Sequence, residues 1–498
     1  MGSIEDTPCL FALDIGTTAI KFVVFDKNLE IYYLEETEVH TYRPAEGESE
    51  QEAEEVWQKV KAGILKMSEK FSNPLSLSFS AGMHSIIPVD KQGSSLHKAL
   101  LWSDLRSKQI AYDLRSTDKG MKLYRETGTP IHPMSPLCKL LWFKEQQSEV
   151  FDKAAKFVSI KEYIIHKLTG KYVIDYSIAS ASGMFQPEKN CWHPDVLKLI
   201  GIDEDKLSVI TEPTKQVPLL KEMTDELKLP KDFALISGGS DGCLSNLGDN
   251  ATEAGIYSIS IGTSGAVRTV SDKFITDKQM RLFSYKLDEG YYVHGGAINT
   301  GGVALEWLGK EMLGDEEDKP LSPIEITKLA QASEPGASGL LFFPYLQGER
   351  APFWKPDIDG AFLGLTIKHG KKQVARAVME GVLYNLCYVM GTVSDLHPKP
   401  VTIKASGGFT KSDFWLQMLA DISNCKVEVD EGTASAARGA AILNLRALGM
   451  EESVSAEDHF DGKKFNPDKE KHKLYKKSYN NFVKFMPEVA SYSEKSAD

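Results

Sequence analysis

The chain has 498 residues and a formal charge of −12, from 58 lysines and arginines against 70 aspartates and glutamates. Its 42% hydrophobic residues exclude an intrinsically disordered chain, because they provide enough apolar surface for two or three packed domains. The acidic balance disfavours a nucleic-acid partner, whose phosphates require a basic face.

The sequence also disfavours a membrane or secreted protein. No apolar run approaches the ~20 residues needed to cross a bilayer, and no basic-then-apolar leader opens the chain. The six cysteines are scattered and contain no Cys-x-x-Cys pair. This usage favours reduced thiols over a disulfide framework or a structural zinc site. We therefore expect a cytoplasmic protein without a membrane partner.

The first predicted elements are a strand, a tight turn and a second strand. Residues 10–14 and 20–25 are rich in residues that favour strands, and Gly16 between them allows a sharp reversal. A helix is expected next, because Ser49 and Glu52 have the spacing of a capping box and apolar residues follow with helical periodicity. Strands that alternate with helices predict an α/β fold with a mixed sheet.

An internal repeat indicates two similarly built domains. Residues 11–18 resemble residues 257–264, and both runs end in Ile-Gly-Thr followed by Thr or Ser. The copies lie about half the chain apart, which is too far for a solenoid repeat. We expect domains at residues 1–250 and 251–498, the second including a terminal helix.

Both copies of the repeat end in a turn suited to phosphate. Backbone N–H groups and the hydroxyls of Thr17, Thr18 and Thr263 are donors for phosphate oxygens. Asp14 precedes the first turn, whereas Ser260 takes that place in the second, and a single carboxylate beside a phosphate turn suits Mg²⁺. No GxxxxGK[ST] sequence occurs, so a P-loop is excluded.

Asp241 follows the apolar residues 233–236 in a Ser-Gly-Gly-Ser-Asp-Gly run. We expect it on an exposed turn, where it is a candidate general base for a hydroxyl that attacks phosphorus. Asp-Gly is also a common turn signature without catalytic meaning. The phosphate turns favour the catalytic interpretation.

Two further glycine pairs precede predicted helices. Gly407 and Gly408 come before a helix capped by Ser412, and Gly301 and Gly302 come before a helix that carries Glu306. Such turns allow a nucleotide base to lie against the backbone. Neither has the GxGxxG spacing, which disfavours dinucleotide binding.

Polar residues in the first half could bind a second ligand that carries hydroxyl groups. An aromatic face with converging donors and acceptors is how proteins hold polyols. Taken singly, a histidine such as His84 or His132 is more often structural than a ligand contact, and lysines such as Lys139 and Lys161 are more often solvated than buried. The candidates are Met83, His84, Trp102, Asp104, Arg106, His132, Lys139 and Lys161.

In the order and spacing of these motifs, the chain resembles the FGGY carbohydrate kinases over residues 8–485. The matching runs are residues 13–18, 83–84, 102–106, 239–242, 261–265 and 407–409. The resemblance implies two ribonuclease H-like (actin-like ATPase) domains around a catalytic cleft. It further implies an ATP- and Mg²⁺-dependent phosphotransferase that acts on an alcohol group of a sugar or sugar acid. Family members are often dimers, so a homodimer is compatible with the resemblance.

The resemblance also implies roles for individual residues. Asp241 would be the catalytic base, in contact with the sugar and the metal ion, and Asp14 would lie beside Mg²⁺. The residues implied for the nucleotide are Asp14, Gly16, Thr17, Thr18, Lys21, Gly262, Thr263, Gly302, Glu306, Gly407, Gly408 and Ser412. The residues implied for the sugar are Met83, His84, Trp102, Asp104, Arg106, His132 and Asp241.

Short segments favour the gluconate kinases within this family. They are residues 83–85, 128–134 and 175–177. A xylulose kinase or another pentulose kinase is the alternative. Glycerol is disfavoured, because Met83 and His84 replace the Arg-Glu pair of glycerol kinases. A gluconate carboxylate needs a positive partner, and His132, Lys139, Lys161 and Arg106 remain open as candidates.

A function of another class, an actin-like ATPase acting as a chaperone or filament protein, is also compatible with the predicted fold. A chaperone needs a substrate-binding module after its ATPase. Only about 50 residues follow Leu448, and they show no strand-rich peptide-binding pattern. The sequence therefore favours the kinase.

Overall fold

The computed structural model describes residues 4–314, 319–430, 434–451 and 462–496. These residues form two compact units. Unit 1 comprises residues 4–250, 272–293 and 434–451, and unit 2 comprises the remaining described residues. The division is not a single cut near residue 250, because two later segments pack with unit 1.

The first half of the chain alternates strands with helices, as the motifs predict. Its strands are β1 (Cys9–Ile15), β2 (Ala19–Phe25), β3 (Ile31–Glu38), β4 (Glu50–Gln51), β5 (Pro74–Ala81), β6 (Ile87–Val89), β7 (Ala99–Leu100), β8 (Lys156–Val158), β9 (Val173–Asp175), β10 (Phe185–Gln186), β11 (Cys191–Trp192), β12 (Val209–Thr211), β13 (Gln216–Val217) and β14 (Ala234–Ser240). Its helices are α1 (Ala53–Lys70), α2 (Lys108–Arg115), α3 (Asp118–Thr127), α4 (Pro136–Gln146), α5 (Ser148–Lys153), α6 (Ile160–Thr169), α7 (Tyr176–Ala181), α8 (Pro194–Ile200), α9 (Lys221–Glu226) and α10 (Asp241–Gly248).

The second half continues the α/β pattern. Its strands are β15 (Ile256–Ile261), β16 (Gly265–Ser271), β17 (Phe283–Asp288), β18 (Tyr291–Ile298), β19 (Leu341–Phe343), β20 (Ala361–Leu363), β21 (Thr402–Ser406), β22 (Lys426–Val429) and β23 (Lys463–Phe465). Its helices are α11 (Val303–Trp307), α12 (Pro323–Gln331), α13 (Lys371–Ser394), α14 (Asp413–Ser423), α15 (Ser435–Ala447) and α16 (Lys469–Ser496). Within the described ranges, no helix has the length and apolar content that a bilayer crossing requires.

Unit 1 is built on a six-stranded sheet with the order β13-β14-β5-β1-β2-β3. The central strands β14, β5 and β1 are parallel, and β2 pairs antiparallel with β1. β1 and β5 are buried along almost their whole length. Strands covered on both faces need apolar side chains on both, which explains the nearly continuous apolar sequence of β1.

The two copies of the internal repeat occupy equivalent places in two sheets. β1 pairs antiparallel with β2 and parallel with β5, and β15 pairs in the same way with β16 and β21. β14 lies parallel beyond β5, as β22 lies beyond β21. Each Gly-Thr turn therefore follows the corresponding strand of its unit, which is what the repeat predicts for an actin-like fold.

The helix expected after Ser49 begins later than predicted. α1 begins at Ala53, and its N-cap residue Glu52 makes no side-chain capping bond. The residues between them form β4, which pairs with β7. Ser49 donates its backbone N–H to Asp104 at 2.8 Å. The capping-box prediction is therefore wrong, because Ser49 makes a tertiary contact with Asp104 and does not cap the helix.

Close backbone contact explains why residues 434–451 belong to unit 1. A Cβ added at Gly439 of α15 would lie 2.1 Å from the carbonyl oxygen of Leu244 in α10. Asn444 of α15 donates to the Phe11 carbonyl oxygen in β1 at 2.9 Å. α15 thus packs on both α10 and the central sheet.

The interior of unit 2 is organised around the buried helix α13. Arg376 of α13 donates through Nε to Glu380 at 2.6 Å and through its terminal nitrogen to the hydroxyl of Tyr475 in α16. Tyr475 and Phe482 are buried. The predicted terminal helix is therefore present, and Tyr475 and Phe482 pack it on the body of unit 2.

Candidate active site

The first predicted phosphate turn is a tight connection between β1 and β2. The Gly16 N–H donates to the Ala19 carbonyl oxygen at 3.0 Å. Thr17 is partly buried and Thr18 is exposed. The Thr17 hydroxyl accepts a hydrogen bond of 3.2 Å from the indole nitrogen of Trp102. The predicted phosphate turn thus contacts the segment predicted to bind the sugar.

Asp14 lies near the end of β1, beside a predicted phosphate turn. It is opposite Lys21 in the β1–β2 pair, and its Oδ1 accepts the Ser80 hydroxyl at 2.8 Å. Burial raises the pKa of the Asp14 carboxyl, and the Ser80 bond and the Lys21 charge partly offset that rise. A carboxylate here is the kind of ligand that Mg²⁺ prefers, and a bound cation would further offset the cost of burial. Asp14 therefore fits the predicted metal role.

β14 reaches Asp241 through a β-bulge. In its pairing with β5, β14 carries one extra residue between Ile236 and Gly239. Within the bulge, Gly238 has φ of +75°, and an added Cβ would lie 2.0 Å from the Phe79 carbonyl oxygen. Only glycine fits this position, so the bulge is fixed by the sequence and sets the direction in which the strand ends.

Asp241 is the first residue of α10, and the prediction of an exposed turn is wrong. Its side chain is partly buried, and Oδ1 accepts the Gly242 N–H at 2.6 Å. The end of a helix where N–H groups are free favours a negative charge. This placement is compatible with the general-base role that the motif predicts.

Asp14 and Asp241 lie at the same edge of the unit 1 sheet. β1, β5 and β14 are parallel, so their carboxyl ends meet there. In sheets of this kind, the carboxyl ends of the strands are where ligands bind. The structure thus places the two predicted carboxylates at one edge of the unit 1 sheet, at the ends of strands that are separated by β5.

Asp104 and Arg106 form a buried network with β4. Asp104 is fully buried, and it accepts the Ser49 N–H at 2.8 Å and the Arg106 guanidinium at 3.0 Å. Arg106 also donates to Glu50 at 2.8 Å. Arg106 is therefore shared between two carboxyl groups of the protein, those of Asp104 and Glu50.

His84 occupies a strained turn that the fold holds in place. Its φ is +70°, and its Nδ1 lies 2.8 Å from the Ala181 carbonyl oxygen. Lys139 Nζ donates at 2.6 Å to the His84 carbonyl oxygen and at 2.6 Å to that of Leu101. One lysine thus joins the turns that carry His84 and Trp102.

The two predicted lysines face the protein interior. Lys161 is buried and pairs with Asp175. Burial lowers the pKa of Lys139 to about 7. His132 is also buried, and its Nδ1 accepts the Met134 N–H at 3.2 Å, so neutral His132 carries its proton on Nε2. Met83 is partly buried and packs against a cluster of buried apolar residues in unit 1.

Unit 2 contains a pocket of about 790 Å³. Three glycine-containing turns meet in its wall, at Gly262, Gly302 and Gly408, and Glu306 and Ser412 also line it. This volume lies in the range of small-molecule sites. The sequence motifs of the second half therefore converge on one cavity.

These turns pack directly on one another. The Gly302 N–H donates to the Gly262 carbonyl oxygen at 2.7 Å, and the Gly301 N–H donates to that of Thr263 at 2.9 Å. Gly407 has φ of +95°, and an added Cβ would lie 2.5 Å from the Ile261 carbonyl oxygen. The close approach of the two backbones thus requires glycine at position 407. Gly262 and Thr263 themselves are exposed.

Helix α12 forms a wall of the pocket that sequence reasoning missed. Ile324 on this helix is 70% exposed, which suits an apolar face for a flat base. The only signal in the sequence was an amphipathic helix with an apolar residue on its polar side. The pocket residues not predicted include Pro323, Ile324, Thr327, Lys328 and Gln331 of α12, together with Lys411 and Lys463.

Comparisons with known proteins agree with this geometry. Residues 9–248 match the model of the N-terminal domain of the FGGY family of carbohydrate kinases, and residues 257–448 match that of the C-terminal domain. The chain is 39% identical over 460 residues to a gluconokinase of Bacillus subtilis (strain 168), which covers 90% of each chain. It is 31% identical over 481 residues to a xylulose kinase of Staphylococcus epidermidis, covering 95% of each chain.

A solved structure shows the same fold. The structure of a gluconate kinase from Lactobacillus acidophilus superimposes with a TM-score of 0.92 and 32% sequence identity. The superposition covers 98% of this chain and 99% of that chain. Both units therefore have counterparts in one solved molecule.

Proposed function

Because the chain belongs to the FGGY family of carbohydrate kinases, and so is a phosphotransferase that acts on an alcohol group of a carbohydrate, we propose that its substrate is D-gluconate. The reaction transfers the γ-phosphoryl group of ATP to the 6-hydroxyl and gives 6-phospho-D-gluconate and ADP. The observation that carries this choice of sugar is the 39% identity to a gluconokinase over 90% of each chain.

We assign the nucleotide to the pocket of unit 2. The turns at Gly262 and Gly408 carry no side chain at the glycine that would block a phosphate or a base, since an added Cβ would meet no atom within 4 Å at either position. Lys411 lines the same pocket and supplies positive charge, whereas Lys463 pairs with Asp413 of the pocket wall at 3.2 Å. Together these features suit a flat base attached to a polyphosphate chain.

Asp14 would hold the Mg²⁺ ion that accompanies ATP, through its carboxylate or a bound water. The ion, when present, neutralises charge on the phosphates. Lys21 lies opposite Asp14 and contributes a second positive charge at the same turn. Thr17 and Thr18 supply hydroxyl donors for phosphate oxygens.

Asp241 would accept the proton of the attacking hydroxyl. In a loose phosphoryl-transfer transition state, this proton leaves late, and a positioned carboxylate aids its removal. The bulge of β14 and the start of α10 fix the direction of the Asp241 side chain. Transfer requires the γ-phosphate of ATP to reach this hydroxyl.

The sugar would lie in unit 1, at the turns that carry His84 and Trp102. We assign His132 to the gluconate carboxylate, because its Nδ1 accepts the Met134 N–H and its proton therefore lies on Nε2. Lys139 and Lys161 bind carbonyl oxygens of the protein. Arg106 is balanced by two carboxylates of the protein. The His132 Nε2–H can donate to a carboxylate without charge, and a protonated ring would bind it more strongly.

A xylulose kinase is the second candidate, supported by the 31% identity to the enzyme of Staphylococcus epidermidis. A chaperone or filament function is not proposed, because both family models are those of kinases.

An ADP-release assay with gluconate, xylulose, ribulose, glycerol and fuculose separates the kinase candidates. We expect gluconate to give the highest kcat/KM by at least tenfold. A higher value with a neutral sugar contradicts the proposal. Turnover of ATP that no polyol stimulates contradicts a kinase of this class.

A further inference from the structure

A buried ion pair in unit 1 has no part in the mechanism described above. Lys161 at the start of α6 and Asp175 at the end of β9 are almost fully buried and form a direct ion pair. Buried ion pairs contribute little net stability, because desolvation of both charges offsets their attraction. The pair therefore calls for another explanation, and its neighbours supply one.

Both members of the pair are connected to the bulge of β14. Lys161 Nζ donates to the Ser237 carbonyl oxygen at 2.9 Å. Asp175 accepts the hydroxyl of Ser177, and the Ser177 oxygen in turn accepts the Ser240 N–H at 2.8 Å. Ser177, Ser237 and Ser240 are fully buried.

The two contacts hold the bulge at both ends. Ser237 begins the extra segment, and Ser240 is the residue directly before Asp241. A bulge leaves strand groups without ladder partners, so its geometry depends on contacts from outside the sheet. The Ser237 and Gly238 N–H groups donate to the carbonyl oxygens of Lys215 and Pro213, both at 2.9 Å. Lys161 adds a bond to the Ser237 carbonyl oxygen, and Ser177 adds one from the Ser240 N–H, next to Asp241.

We propose that Lys161, Asp175 and Ser177 are positioning residues that set the direction of Asp241 for proton transfer. The ion pair fixes the orientation of the Ser177 hydroxyl and of Lys161 Nζ, and these two groups fix the backbone at Ser240 and Ser237. The inference rests on the proposed role of Asp241 as the base.

The test compares Ser177→Ala with Ser180→Ala. Both residues lie on α7, both are fully buried, and each side-chain oxygen accepts a backbone N–H. Ser177 accepts that of Ser240, whereas Ser180 accepts that of Lys286 at 3.1 Å. Both variants thus lose a bond from a backbone N–H, but only Ser177→Ala loses it beside Asp241, and that variant also loses the bond to Asp175.

We expect Ser177→Ala to lower kcat by roughly 10- to 100-fold, the cost of a small misplacement of a reacting group. KM for gluconate and for ATP should change by less than about threefold. A change that affects only the transition state lowers kcat and leaves KM unchanged. Ser180→Ala should keep kcat within about twofold and lower the melting temperature comparably. Equal kcat values in the two variants overturn the proposal, as does a raised KM with unchanged kcat in Ser177→Ala.

A second variant covers the case in which Ser177→Ala does not fold. The double change Lys161→Met with Asp175→Asn removes the bond to Ser237 without leaving an unpaired buried charge. It should also lower kcat and leave both KM values unchanged, and an unchanged kcat overturns the proposal. Asp241→Asn is measured in parallel. If Asp241→Asn leaves kcat intact, the assignment of Asp241 as the base fails. If Asp241→Asn lowers kcat but Ser177→Ala has normal activity, only the positioning role of Ser177 is refuted.

Discussion

The ammonium group of Lys139 lies 2.6 Å from the carbonyl oxygen of His84, a residue whose backbone has φ of +70°. The same nitrogen lies 2.6 Å from the Leu101 carbonyl oxygen. Lys139 is fully buried, so it cannot serve as a surface charge. It holds together two turns that we assign to the sugar.

Lys139→Met should therefore weaken sugar binding more than nucleotide binding. Loss of both hydrogen bonds frees the strained His84 turn, and we expect KM for gluconate to rise by roughly tenfold or more, since each lost buried bond costs about 1–3 kcal/mol. KM for ATP should stay within about twofold. Lys144→Met on the exposed face of the same helix is the matched control. Equal changes in both KM values would contradict this role.

Asp241→Asn should lower kcat by roughly 10²- to 10⁴-fold, the range for loss of a general base. ADP affinity, measured by calorimetry, should be almost unchanged, because the nucleotide pocket is lined by residues of unit 2. Asp232→Asn, in the exposed segment that precedes β14, serves as the control and should retain full activity. Retained turnover in Asp241→Asn would remove this residue from the catalytic role.

Asp14→Asn should raise the Mg²⁺ concentration needed for half-maximal activity by about tenfold, since a carboxylate ligand is lost. The variant should also be at least as stable as the parent near pH 7, because burial raises the pKa of Asp14 and thus disfavours its charged form. Titration of activity with Mg²⁺ at saturating substrates tests this. An unchanged Mg²⁺ dependence would show that Asp14 is not beside the ion.

Gly407→Ala should disrupt the nucleotide pocket. An alanine there combines φ of +95° with a Cβ 2.5 Å from the Ile261 carbonyl oxygen, a strain of about 1–3 kcal/mol. We expect a lower melting temperature and a higher KM for ATP. Gly391→Ala in α13 is the control, because its Cβ would meet no atom within 4 Å and alanine favours a helix by about 1 kcal/mol. An undisturbed ATP KM in Gly407→Ala would contradict the packing argument.

Glu349 in unit 2 should make stability depend on pH. It is fully buried and accepts the N–H groups of Asn299 at 2.6 Å and Arg350 at 2.8 Å. It also accepts Asn385 Nδ2 at 2.7 Å. Burial raises the pKa of Glu349 to about 8, and these bonds and the Arg350 charge offset only part of the rise.

Because the folded pKa of Glu349 lies above the usual value, its stabilising contribution is complete below about pH 4.5 and is lost as the pH rises through about 8. Glu349→Gln removes this titration. The melting temperature of the variant, relative to the parent, should therefore rise between pH 5.5 and pH 8.5. Glu334→Gln, at an exposed position, should show a constant difference. A constant difference for Glu349→Gln would show that the group does not titrate in this range.

The sequence alone determined the family, the α/β class and most of the turns that line the unit 2 pocket. Its Ile-Gly-Thr repeat located equivalent turns after β1 and β15, because strand propensity and glycine turns are local properties of the chain. The turns at Gly302 and Gly408 were predicted in the same way, and the structure places both in one pocket with Gly262.

The tertiary structure alone decided which groups face each other. Lys161 and Ser237 are 76 residues apart, and the hydrogen bond between them cannot be read from either local segment. The same holds for Lys139, whose acceptors come from two separate turns, and for α12, whose exposed face becomes a pocket wall only beside other elements. Local patterns specify turns and strands, whereas the partner of a buried charge depends on long-range packing of the whole unit.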